Sequence, residues 1–77
     1  MAEMENLSDV DIKKVADRIK QLRLDCGYTS YETFAFDKDI NRVQYWRIEN
    51  GGNITLKTFF KIIQIHKLTP EEFFKNF

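Results

Sequence analysis

A chain of 77 residues with twelve basic and twelve acidic side chains carries no formal net charge at neutral pH, and it has room for one small domain. At that size folding buries only roughly 60% of the unfolded surface, so one modest core is all the chain supports. A single Cys and a single His argue against an internal disulfide and a Cys/His zinc site, and no apolar run approaches the ~20 residues of a membrane span.

Residues 1–7 show no periodic apolar pattern and read as a flexible N-terminal arm, with a single domain over 8–77. The charged opening is unlike a signal peptide, so the expected location is cytoplasmic. A first helix is expected from Ser8 or Asp9, with acids in its first turn where the helix dipole favours them. Ile12, Val15, Ala16, Ile19, Leu22 and Cys26 recur at three- and four-residue steps and form its apolar stripe. Gly27 stops it, and Cys26 reads as a small buried hydrophobe. Thr29 and Glu32 then have the spacing of a capping box, which predicts a short second helix running to about Lys38. Phe34 and Ala35 are its expected buried positions, and Phe36 is ambiguous.

The next stretch, Ile40 to Gly51, carries the strongest signals. Asn41 is placed to cap a third helix, with Gln44 as a reciprocal partner, and Asn50-Gly51-Gly52 supplies a left-handed stop. Tyr45 and Ile48 fall on one face with Ile40 and belong to the core. Arg42, Val43, Gln44, Trp46, Arg47 and Asn50 are left on the other faces. Arg, Gln and Asn in that arrangement carry the donors that match guanine, adenine and phosphate edges.

A fourth helix begins at Thr55. Leu56, Phe59, Phe60, Ile62, Ile63 and Ile65 occupy so much of its circumference that it is expected to lie against several others. Thr69-Pro70-Glu71-Glu72 starts a fifth helix holding Phe73, Phe74 and Phe77, mostly as core. Five helices without strand alternation make an all-α bundle, with about three residues between the second and third helices, as in a helix-turn-helix. From Lys38 to Lys67 there are six basic residues against two acids, a local excess able to face phosphates while the acidic remainder keeps the molecule soluble.

Five stretches in order carry a family likeness: Arg18-Ile19-Lys20-Gln21-Leu22-Arg23, Gly27-Tyr28-Thr29, Ile40-Asn41-Arg42, Arg47-Ile48-Glu49-Asn50-Gly51 and Leu56-Lys57-Thr58-Phe59-Phe60-Lys61-Ile62. Over roughly Ile12 to Phe74 the chain resembles the lambda-repressor-like helix-turn-helix domains, and within them the XRE family of bacterial and phage regulators. The resemblance implies a five-helix bundle binding double-stranded DNA as a homodimer, with the third helix in the major groove. It places Arg42, Val43, Gln44 and Arg47 at base edges, and Ser30 and Asn50 at phosphates; Asn53 and Lys57 are further candidates for phosphates or the groove edge, and Trp46, where the family usually has a small polar residue, is open to DNA contact, partner contact or partial burial. It also implies that Arg23 and Glu49 form a structural ion pair between the first and third helices. Asp39 stands where the family often has glycine, and the loop Gly51-Gly52-Asn53-Ile54 lacks the basic residues frequent there. Nonspecific affinity and its salt slope are therefore expected to be low.

No catalytic constellation, metal site or cofactor loop emerges, so no enzyme activity is expected. Tyr45 reads as core, and His66 as a charge favourable to a helix C-terminus. Two functions remain in view: a transcriptional regulator, expected to be a repressor, and an antitoxin-like protein-interaction module using Trp46 and the phenylalanines.

Overall fold

The computed structural model describes the backbone of residues 2–77 and the side chains of residues 9–77. These residues form five helices and no strand: α1 (Ala2–Asp25), α2 (Tyr31–Asp37), α3 (Arg42–Glu49), α4 (Leu56–Ile65) and α5 (Pro70–Phe73). The all-α expectation stands. None of these helices is long and apolar enough to cross a membrane.

The first helix starts at Ala2 instead of Ser8 or Asp9, so residues 2–7 continue it. Ala, Glu, Met and Leu in that segment are good helix formers, and helix propensity operates without an apolar stripe. At the other end Tyr28 N–H donates to Arg23 O (3.1 Å) and Gly27 N–H to Leu24 O (3.0 Å), with Gly27 at φ +93°. This is a Schellman closure. It recurs after α2 with Asp39 (φ 56°), after α3 with Gly51 (φ 87°) and after α4 with Lys67 (φ 58°). Because α1 ends at Asp25, Cys26 falls in the turn and is exposed, contrary to its expected burial.

The second helix is capped by Ser30, not Thr29: Ser30 Oγ accepts from Thr33 N–H at 3.3 Å. Asn41 caps α3 as expected, with Oδ1 accepting from Gln44 N–H at 2.9 Å. The full reciprocal box occurs at α5, between Thr69 and Glu72. The Thr69 backbone N–H donates to Glu72 Oε1 at 2.9 Å, and this bond, aided by the Thr69 hydroxyl, holds the Glu72 carboxyl below the usual carboxylate range.

Ile19, Phe34, Ala35, Tyr45, Ile48, Phe59, Ile62, Ile63 and Phe73 make the core. Phe34 is its centre, with Tyr28 edge-on at 5.2 Å, Tyr45 tilted at 5.2 Å and His66 stacked parallel at 5.5 Å. That stack corrects the expectation for His66. Its Nε2 is buried without a hydrogen-bond partner, and burial, aided by the nearby Lys38 ammonium, lowers its affinity for a proton. His66 does stand at the C-cap of α4, but its ring stacks on Phe34 and burial disfavours the expected cation there.

The third helix packs on α1 and α2, and α4 packs on α5. The fourth helix is less enclosed than its composition suggests. Phe59, Ile62 and Ile63 are buried, while Leu56 and Phe60 stay exposed beside Phe74 and line an apolar groove with Val15, Ile54 and Pro70. Of the three C-terminal phenylalanines only Phe73 is core; Phe77 lies beyond the end of α5. Arg18 ties this end to α1 by donating to Phe73 O at 2.8 Å and Lys75 O at 3.1 Å.

Candidate nucleic-acid interface

Two buried anchors set the rotation of α3. Tyr45 and Ile48 are sealed in the core, one helical turn apart. At 100° per residue their placement turns Val43 and Asn50 to the opposite side, with Trp46 and Arg47 flanking and Arg42 and Gln44 at the two edges. All six are exposed. Arg42, Val43, Gln44 and Arg47 are thus all open to solvent, Val43 and Arg47 on the outward side and Arg42 and Gln44 at its opposite edges.

That surface is held from beneath. Arg23 reaches across from α1 and donates from Nε to Glu49 Oε2 at 2.8 Å and from Nη2 to Glu49 Oε1 at 2.9 Å. Both side chains are only 5% exposed. Arg23 Nη1 also donates to Tyr28 O at 2.9 Å, so the same guanidinium fixes the α1–α2 bend. The Tyr45 hydroxyl is buried beside this pair without a well-aligned hydrogen bond. Desolvation and the Glu49 carboxylate hold its proton well above the ordinary tyrosine range. From the other side, Lys61 Nζ on α4 donates to Asp39 O at 2.8 Å and fastens the turn between α2 and α3.

The end of α3 is equally constrained. Gly52 N–H donates to Arg47 O at 2.7 Å, and a Cβ at Gly52 would lie 2.9 Å from that oxygen. Asn50 Nδ2 donates to Trp46 O at 2.8 Å, so part of the Asn50 amide closes the helix instead of reaching outward. Ser30 Oγ is likewise engaged as the α2 cap. Asn53 and Lys57 lie exposed in the following loop and in the first turn of α4.

The local basic excess is partly spent within the fold. Lys61 holds Asp39 O, Lys38 sits over the Tyr28 ring at 5.8 Å, and Arg42 pairs with Glu32 at 3.4 Å. The Tyr28 hydroxyl donates to Asp37 at 2.9 Å, and this bond raises its affinity for its own proton. The Arg42–Glu32 pair is 64% and 55% exposed. Exposed pairs are worth about 0–1 kcal/mol, so Arg42 remains available to a stronger acceptor. Among the described residues no group of three or more His, Cys, Asp or Glu side chains is placed to hold a metal.

Sequence reasoning missed three residues around this surface. Phe36 is 86% exposed, and with Glu32, Thr33, Ile40 and Arg42 it borders a concavity of about 540 Å³. Tyr31 and Glu32 join Arg42, Val43 and Trp46 around a second concavity of about 320 Å³. A signal for Phe36 was present: residues two apart on a helix point about 200° apart, so burial of Phe34 forces Phe36 outward. No family model, curated protein or solved structure matches the chain.

Proposed function

We propose that this chain is a sequence-specific double-stranded DNA-binding transcriptional regulator, acting as a cytoplasmic repressor with a lambda-repressor-like helix-turn-helix formed by α2 and α3. One observation carries the reading: a helix rotated by Tyr45 and Ile48, and clasped through Glu49, exposes Val43 and Arg47 outward with Arg42 and Gln44 at the two edges. Arg grips guanine O6/N7, Gln grips adenine N6/N7 and Val meets a thymine methyl, each good bidentate pair giving about 1–3 kcal/mol of discrimination. A homodimer would set two such helices in successive major grooves, about 34–36 Å apart. Lys57 is the one cation among the expected phosphate contacts, so the salt dependence should be shallow.

The test is selection from random duplex at low salt, followed by Arg47→Ala. The expected result is enrichment of a defined half-site, with Arg47→Ala weakening it at least fivefold and relaxing one base position. Stability should change by less than about 0.5 kcal/mol, because the side chain is exposed. A second reading, a protein-interaction module such as an antitoxin-like partner, draws on the exposure of Phe36 and the zero net charge. Absence of any enriched duplex favours that reading.

A further inference from the structure

We infer that Glu32 is a specificity-determining residue that works by exclusion: it keeps Arg42 off phosphates and leaves its donor fork to a guanine edge. The inference rests on the DNA-binding reading above and concerns how this part of the chain tells a base from a backbone. Among the described residues Arg42 makes one side-chain hydrogen bond, from Nη1 to Glu32 Oε2 at 3.4 Å. The contact joins α3 to the first turn of α2, where the helix dipole favours a carboxylate. It leaves Nε and Nη2 open, the side-on pair of donors that fits guanine O6/N7.

Two concavities give access to Arg42, and Glu32 borders both. One lies beside Thr33, Phe36 and Ile40, the other beside Tyr31, Val43 and Trp46. A phosphate entering either hollow to reach the guanidinium is brought up against the Glu32 carboxylate. The ion pair itself is exposed and weak, so breaking it costs little. The cost lies in setting a second anion beside the first. Guanine O6 and N7 are neutral acceptors, and they take the open donors without that repulsion. Arg42 thus contributes to the specific complex and withholds its charge from the nonspecific one. In a chain with no formal net charge, one withheld phosphate contact is a large share of nonspecific affinity.

The experiment uses the full chain, the half-site duplex obtained by random-duplex selection and a scrambled duplex of equal length. Affinity for each is read by fluorescence anisotropy across a salt series, with melting curves checking that every variant stays folded. Glu32→Gln removes the charge and keeps the shape. It should tighten binding to the scrambled duplex about fivefold, the worth of one charge contact at ~4 Å in water, and steepen its salt slope by about 0.9. Affinity for the half-site should move by less than about twofold, because exposed ion pairs contribute little, so discrimination falls. In an Arg42→Ala background the same Glu32→Gln change should leave the scrambled duplex and its salt slope nearly as they were. Glu71→Gln, an equal change of net charge in the first turn of α5, should do the same in the otherwise unaltered chain. Equal gains on the two duplexes after Glu32→Gln, or none on either, overturn the inference and leave the DNA reading standing. So does a gain that persists in Arg42→Ala or is matched by Glu71→Gln, since either makes Glu32 a general repulsive charge. If selection enriches no duplex at all, the DNA reading falls and the role of Glu32 falls with it.

Discussion

Glu49→Ala tests the internal frame more severely than any change on the exposed side of α3. The substitution removes the acceptor for two donors of Arg23, which is 4% exposed, and leaves Tyr28 O as its remaining partner. Stranding one member of a buried pair typically costs about 3–5 kcal/mol. At ~0.05–0.15 kcal/mol per residue a domain of this length holds only about 4–11 kcal/mol in total. With an unfolding entropy of ~2.1 cal/mol/K per residue, a loss of about 3 kcal/mol lowers the melting temperature by roughly 18 °C. Replacing both partners by apolar residues, Arg23→Met with Glu49→Leu, should recover most of the loss. It would fall short by about 1 kcal/mol for the Tyr28 carbonyl left without its donor. Urea unfolding followed by helical circular dichroism measures both variants. If Glu49→Ala costs under 1 kcal/mol, or the double variant is no better than the single, the pair does not clamp α1 to α3.

Three further outcomes follow from particular residues. His66 in the unfolded chain binds a proton near pH 6.5, whereas in the fold burial delays protonation to lower pH. The unfolded state therefore binds more protons in that window, and stability should fall as pH drops below about 6.5; in His66→Leu the slope between pH 7 and 5 should flatten, as read by urea midpoints. Lys67→Gly relieves a left-handed residue at φ 58° and should stabilise by about 0.5–1 kcal/mol, a rise of several degrees in melting temperature. Gly52→Ala places a Cβ 2.9 Å from Arg47 O and should destabilise by about 1–3 kcal/mol, with amide exchange quickening at the end of α3.

Much of the frame was legible because its signals are local. The Asn41 cap, the Gly51 stop and the Thr69 cap with Pro70 behind it are short-range chemistry, and each formed at its expected place, whereas the reciprocal bonds expected from Glu32 and Gln44 did not. Tyr45 and Ile48 were readable from spacing alone. Thr29 and Ser30 were not separable, because both are hydroxyl residues just before the same helix; the cap bond from Thr33 N–H falls to Ser30. Cys26 was misread by running the apolar stripe one residue past a helix that ends at Asp25. His66 was misjudged for another reason. Its partner, Phe34, is 32 positions away, and no local rule anticipates a stack across the core. The residues of the outward face were visible, but the concavity beside them was not, since Tyr31 and Glu32 come from a different helix.

The division of labour within α3 has an evolutionary consequence. Asn41, Tyr45, Ile48, Glu49 and Gly52 are each occupied by a structural duty. Arg42, Val43, Gln44, Trp46 and Arg47 carry none through a buried side chain. They behave as an exchangeable cassette: these five codons can drift or be randomised together while the scaffold stays intact. A lineage built on this frame can change what that side of the helix presents without first relearning how to fold.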